Sequence, residues 1–341
     1  MTAQPVIDFR VSEVLKHPER MSQVRYLLAD SGLGMDSDIS LVVEALVDNR
    51  LVGCAGLAEN VIKCVAVDET FRGENLSARL LAEVEHLALQ RGHFHLFLCT
   101  RPCNEARFAH SGFWPLARSG NNAVLMENTP QGIRRYCRQL ESLRQPGTRI
   151  GSIVMNANPF TLGHRHLVEQ AANACDWLHL FVVREDASFF PFRERLAMVN
   201  AGVAHLPNVT VHEGSRYLIS RATFPAYFLK ETGKVQQAWS EIDVRIFRDY
   251  IAPALGITHR FVGSEPFCDV TRQYNDTLYR VLADAVAVVE LPRIKAVGSA
   301  ISASEVRRLL KTQQFSRIRE IVPDTTFAHL QAHYGVCAEV A

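Results

Sequence analysis

Gly151-Ser152-Ile153-Val154-Met155-Asn156-Ala157-Asn158-Pro159-Phe160-Thr161-Leu162-Gly163-His164 is the run on which the fold of this chain turns. Ile150 to Met155 is an apolar strand, Asn156 to Leu162 is a loop reversed at Asn158-Pro159, and Thr161-x-Gly163-His164 opens a helix reaching about Cys175. Chemically this junction is an anion site. Gly163 lets backbone approach a ligand, the first N–H groups of the helix point outward unpaired, and His164 adds a donor where charge gathers. A phosphate chain opened at phosphorus needs such donors, because phosphoryl-type transfer is stabilised mainly by positioning and electrostatics. The competing account is an ordinary turn followed by a helix cap.

Beyond this run strands and helices alternate. Strand Leu178 to Val183, helix Phe192 to Ala204 and strand Val209 to Glu213 come first, then helix Glu241 to Ala254, strand Arg260 to Val262, helix Arg272 to Ala283, strand Ala285 to Leu291 and helix Ser302 to Lys311. That alternation predicts βαβ crossovers and a doubly wound parallel sheet of Rossmann-like type, with ligands beyond the carboxyl ends of the strands. The last helix begins Ile301-Ser302-Ala303-Ser304-Glu305-Val306-Arg307. Ser302 with Glu305 fits a capping box, which accounts for neither Ser304 nor Arg307. Two hydroxyls at a helix start and a guanidinium one turn on make a second phosphate cradle.

The first half reads as a mixed α/β layer. Strands Leu41 to Val47 and Leu51 to Leu57 flank Asp48-Asn49-Arg50 as a hairpin, and strand Val61 to Val67, helix Leu76 to Leu89 and strand His95 to Cys99 follow. Polar, arginine-rich sequence then leads to the breaker Pro146-Gly147. The expected organisation is a domain over 1–125, a helical linker over 126–148 and a second domain over 149–341. With 37 basic and 36 acidic side chains among 341 residues, the chain has no net field to hold nucleic acid. It also carries no export signal and no apolar run of membrane-helix length, so a cytoplasmic protein is expected. The eight cysteines show no C-x-x-C pairing and read as reduced, mostly buried thiols rather than a zinc site or a catalytic thiol.

Thr161-x-Gly163-His164 resembles the T/H-x-G-H motif of the nucleotidyltransferase superfamily, and Ile301 to Arg307 resembles its I-S-S-T-x-x-R motif. The longer strings N-A-N-P-F-T-L-G-H-R-H-L, Ser220 to Lys230, Val262 to Pro266 and Ala300 to Arg307 are similar to the citrate lyase ligase family over the whole second half. That resemblance implies an AMP-forming acid–thiol ligase: ATP and acetate give acetyl adenylate and pyrophosphate, and the acetyl group passes to the phosphopantetheine-type thiol on the acyl-carrier subunit of citrate lyase. It implies His164 at the α-phosphate with Thr161 assisting, and nucleotide contacts from Asn156, Asn158, Pro159, Phe160 and Gly163. Gly263 and Ser264 fall on the adenosine side, and Ser302, Ser304 and Arg307 at the β- and γ-phosphates. Mg²⁺ is expected with the triphosphate, held by phosphate oxygens and water, with no metal-ligating residues of the chain. The turn departs from many superfamily members in carrying Asn158 where they have an acidic residue.

For the acetate carboxylate, Arg184, Arg193, Arg195, Arg221 and Lys230 are the candidates, with Arg221 and Lys230 preferred because they lie in a family-like string. His166, two residues past His164, is expected on another face of the helix and away from the chemistry.

In the first half, Arg72 to Ala78 and Asn104 to Phe113 resemble the pyrophosphate loop and the following A-R-x-x-x-x-x-G-F segment of GNAT-type acetyltransferases. The small positions of that loop are Asn75 and Ser77 here, where glycine lets amides approach the coenzyme A pyrophosphate. A fold that docks the carrier or its pantetheine arm is therefore preferred to a working acetyltransferase. His93, His95 and His110 read as structural rather than as a base or metal cluster. Two other functions stay open for the chain as a whole: an adenylyltransferase acting on a phosphate-monoester acceptor, and a non-catalytic ATP-sensing scaffold.

Overall fold

The computed structural model describes residues 6–72, 75–184, 188–218, 227–229, 232–264, 269–292, 294–296 and 299–335. The chain forms two compact units, Met1–Tyr136 with Phe224–Ile242, and Cys137–Thr223 with Asp243–Ala341. Residues 224–242, placed in the second domain by the sequence reading, thus belong with the first unit.

In the first unit β1 (Asp8–Glu13), α1 (Pro18–Asp30), β2 (Leu41–Val47), β3 (Arg50–Ala58), β4 (Val61–Val67), α2 (Leu76–Gln90), β5 (Phe97–Thr100), α3 (Glu105–His110), β6 (Trp114–Ser119) and β7 (Ala123–Glu127) follow in order. They build a seven-stranded sheet in the order β1-β2-β3-β4-β5-β7-β6. Asp48 and Asn49 take the left-handed conformation that closes the β2–β3 hairpin tightly. β2 and β3 are buried along nearly their whole length because helices cover both faces of the sheet. Leu76, Leu80, Leu81 and Val84 of α2 pack on Val43, Ala45, Val52 and Ala55, whereas Met21, Val24 and Leu28 of α1 pack on Val42, Cys54, Cys64 and Ala66.

β4 and β5 are parallel and pair only through Val61–Phe97 and Ile62–Leu98. Beyond that the strands part, and the gap receives Tyr227 from the second half of the sequence. Its hydroxyl donates to the Cys99 carbonyl at 3.0 Å, and its own carbonyl accepts from the Gly34 amide at 2.7 Å. Arg101 Nη2 donates to the Phe228 carbonyl at 2.9 Å, and the buried Ser119 hydroxyl donates to Glu241.

The second unit contains α4 (Gly132–Glu141) from Cys137 on, β8 (Ile150–Met155), α5 (Leu162–Asn173), β9 (Trp177–Val182), α6 (Phe192–Val203) and β10 (Val209–Glu213). α7 (Thr232–Ile246) passes from the first unit to the second at Ile242. It is followed by α8 (Ala252–Leu255), β11 (His259–Gly263), α9 (Asp269–Leu282), β12 (Ala287–Leu291), the short paired strands β13 (Lys295–Ala296) and β14 (Ser299–Ala300), α10 (Ala303–Lys311), α11 (Phe315–Arg319) and α12 (Asp324–Tyr334). The main sheet runs β10-β9-β8-β11-β12 with every pair parallel. Its order reverses between β8 and β11, and the carboxyl ends of those two strands form the crevice where a doubly wound sheet binds ligands.

Of the cysteines, Cys54, Cys64 and Cys99 are buried, Cys137 and Cys175 are partly so and Cys103 is exposed; Cys268 and Cys337 lie outside the described residues. Burial pushes the Cys64 thiol up to about 12. Among the described residues no helix is long and apolar enough to cross a membrane.

Candidate active site

The β8–α5 junction is built as a cap. Thr161 is extended and 2% exposed; its Oγ1 accepts from the His164 amide at 3.3 Å, and its own amide donates to His164 Nδ1 at 3.1 Å. An imidazole that accepts at Nδ1 carries its proton on Nε2, so the cap fixes the ring as a neutral Nε2–H donor. Phe160 stacks on that ring with centroids 5.8 Å apart. Phe160 itself is fully buried in the core, where a side chain on Gly202 would strike its ring at 2.4 Å. It orients His164 from below and does not face the cleft.

The turn before the cap is tethered by a second set of bonds. Arg195 is 0% exposed; its Nη1 donates to the Asn156 carbonyl and Oδ1, both at 2.8 Å, and to the Val183 carbonyl at 2.9 Å, while Nε donates to the Phe190 carbonyl at 3.1 Å. Arg195 is thus a tether of the turn, its Nε and Nη1 spent on Asn156, Val183 and Phe190. Asn158 Oδ1 accepts from the Phe190 amide at 3.1 Å, and its carbonyl accepts from Arg307 Nη1 at 2.5 Å. Arg307 thereby joins the two predicted phosphate segments, and burial lowers its pKa from the ordinary arginine value. At the start of α10, Ser302 Oγ accepts from the Glu305 amide at 3.2 Å and lies 3.1 Å from Ser304 Oγ. Glu305 is held ionised by its hydrogen bond to Arg308.

These groups line one cleft of about 500 Å³ at the switch point. Asn156, Thr161, Gly163, His164, Gly263, Ser302, Ser304 and Arg307 border it. Asn158, Pro159, Phe160 and Ser264 do not, and Arg184 and Arg193 are exposed away from it. Arg221 and Lys230 lie outside the described residues. His166 borders the cleft with Leu167, against the expectation that it turns away, because the cleft wraps around the first turn of α5 rather than facing one side of it. Arg260, Tyr274 and Asn275 also border the cleft and were not singled out in the sequence. An arginine opening a short strand otherwise due for burial was the available signal for Arg260. No carboxylate appears among the described lining residues, and no cluster of three His, Cys, Asp or Glu able to hold a metal exists among the described residues.

In the first unit a cavity of about 290 Å³ is bordered by Arg72, Ser77, Arg101 and Arg107, with Tyr227 and Phe228. Asn75 stands at the start of α2 in the left-handed conformation. His95 pairs with Glu127 at 2.7 Å, and His110 bonds the Ala106 carbonyl one turn back, so neither ring joins a histidine cluster.

A five-stranded parallel sheet with a Thr-x-Gly-His cap and a second serine-arginine helix start at its switch point defines a nucleotidyltransferase-type unit, preceded here by a GNAT-like one. Residues 150–330 match the citrate lyase ligase C-terminal domain and residues 9–113 the acetyltransferase (GNAT) family. The [citrate [pro-3S]-lyase] ligase of Klebsiella pneumoniae is 50% identical over 323 residues, covering 93% of this chain and 94% of its own. Its namesake from Escherichia coli K12 is 46% identical, covering 92% and 91%. Among solved structures, Thermotoga maritima TmcAL bound with alpha-thio ATP covers 54% of this chain and 56% of its own at 12% identity, with a TM-score of 0.38. The chain belongs to the citrate lyase ligase family.

Proposed function

We propose that this chain is the ATP-dependent ligase that acetylates citrate lyase, working through acetyl adenylate. The observation that carries the chemistry is the fixed Nε2–H tautomer of His164 in a cleft shared with Ser302, Ser304 and Arg307. ATP lies with its phosphates across the two helix starts. An acetate oxygen attacks the α-phosphorus, the bond from that phosphorus to the bridging oxygen breaks, and pyrophosphate leaves. His164 donates to an α-phosphate oxygen as charge shifts, while the two hydroxyls and the guanidinium hold the departing phosphates. Mg²⁺ would arrive with the triphosphate and screen its charge, held by phosphate oxygens and water, since the described lining residues offer no carboxylate. The carrier thiol then attacks the acetyl carbon, losing its proton, and the thioester forms as AMP departs. The partners in this reading are acetate and the acyl-carrier subunit with its phosphopantetheine-type arm, in the cytoplasm.

The test is acetate-dependent exchange of labelled pyrophosphate into ATP without any carrier. His164→Ala is expected to slow exchange roughly a hundred- to a thousandfold, the loss typical of one preorganised donor, with ATP affinity falling far less. Arg165, which pairs with Glu169 and lies outside the cleft lining, is the control: Arg165→Ala leaves exchange near normal. Near-normal exchange in a folded His164→Ala protein removes this site from the adenylation step.

A further inference from the structure

Arg260 is 3% exposed, borders the cleft from the second residue of β11, and keeps Nε and Nη1 buried without a hydrogen-bond partner among the described residues. A desolvated guanidinium is expensive unless its N–H groups are met, so a site that holds one this way is built for an anion absent from the free protein. Its surroundings narrow the class. The guanidinium lies over the Phe247 ring at 4.6 Å from the centroid, which leaves its edge, not its face, for a ligand. Tyr274, which also borders the cleft, donates its hydroxyl to Asp243 at 2.6 Å. Asp243, itself 5% exposed, offsets the positive charge at one remove and leaves the two N–H groups unmet. A charge already partly balanced suits a monoanion better than a phosphate, and a guanidinium with N–H groups still to be met is a ready donor to a small carboxylate.

We infer that Arg260 binds the short carboxylate substrate, its unmet guanidinium N–H groups donating to acetate against the Phe247–Tyr274 wall. The inference rests on the ligase reading above and names the residue that reading left without an acid-binding partner. It takes that role from Arg195, whose Nε and Nη1 serve Asn156, Val183 and Phe190. Arg260 acts on binding and orientation of the acid and leaves the phosphate-binding groups untouched.

The experiment is pyrophosphate exchange as a function of acetate, with equilibrium ATP binding measured alongside, on the full chain carrying Arg260→Met or Arg260→Lys. Folding is checked by circular dichroism. The expected result is a KM for acetate raised at least thirtyfold in the methionine variant and less in the lysine variant, which keeps the charge without the fork, with ATP affinity within about threefold of the parent. An unchanged KM for acetate in either folded variant overturns the inference, and so does an equal loss of ATP binding. If both variants unfold, the Arg260 side-chain NMR signal of the unaltered protein decides: a shift on addition of acetate supports the assignment and an unmoved signal refutes it. Failure of the ligase reading is separate, since it shows as no acetate-dependent exchange in the unaltered protein.

Discussion

Gly163 has no steric reason to be glycine in the free protein. A methyl added there would meet Thr161 Oγ1 at 3.5 Å and the Ile301 carbonyl at 3.6 Å, both ordinary contacts, and the backbone is helical. Alanine is also the better helix former. Gly163→Ala is therefore expected to melt at or slightly above the parent temperature while ATP affinity drops, because the added methyl occupies the face of the cleft that the phosphates approach. Calorimetry of unfolding and of ATP binding on the same sample tests this, and undiminished affinity would mean the phosphates pass elsewhere. A second residue-level consequence lies under the sheet. His179 and His212 are buried 2.8 Å apart, and burial lowers their pKa values to about 4 and about 3 from an ordinary 6.5. The folded state keeps both neutral, so below pH 6.5 the unfolded chain takes up protons the folded one refuses. Stability fully present above that pH is lost as pH falls towards those depressed values. Melting temperature should fall between pH 6.5 and pH 4, and His212→Gln should flatten part of that slope; an unaltered slope would show that the pair does not titrate in this way.

The helix starts of α5 and α10 carry the chemistry, and each is held by its own cap. Ser302→Ala with Ser304→Ala should cost only about 1 kcal/mol of stability through loss of the cap. Loss of hydrogen bonds to charged phosphate oxygens is worth about 1.5 to 3 kcal/mol each, so losing both should lower ATP affinity by at least roughly a hundredfold. Titration of ATP into the folded double variant checks this, and unchanged affinity removes the pair from the phosphate site. These two elements were readable in the sequence because a cap is local: three or four neighbouring residues state both its position and its donors. β10 was read to the residue and β2 and β4 likewise, since short apolar runs bounded by turn residues identify themselves. β1, α1, β6 and β7 were not assigned. β6 opens with the exposed Trp114 and Pro115, and β1 exposes half its residues, so neither shows clean alternation. α7 begins at Thr232, nine residues before its expected start at Glu241, because Gln236, Gln237 and Ser240 blur an apolar stripe that tertiary packing completes. Arg195 stood among the candidate acetate clamps for a similar reason: the carbonyls it serves come from Asn156, Val183 and Phe190, and only the folded sheet end gathers them.

At the level of the whole chain, the first unit has a GNAT-like sheet but a different occupant in its opening. Tyr227 bonds to Cys99 and Gly34 where β4 and β5 part, and the pyrophosphate-type loop presents Asn75 and Ser77. The intact protein is therefore expected to bind coenzyme A no tighter than millimolar and to transfer no acetyl group from acetyl-CoA to amines; micromolar binding by equilibrium dialysis would overturn this. A fragment ending near Tyr136 is the wrong test object, because it lacks Phe224–Ile242 and leaves that opening bare. The same excursion bears on how the molecule is made. Domains generally fold as units from the N-terminal end during synthesis. Here the leading sheet must wait, with its β4–β5 gap unfilled, while the ribosome translates through Thr223 and on to Ile242, by which time three strands of the other unit have already emerged. Birth and completion are thereby staggered: the unit that appears first can close only after the other has begun to be made.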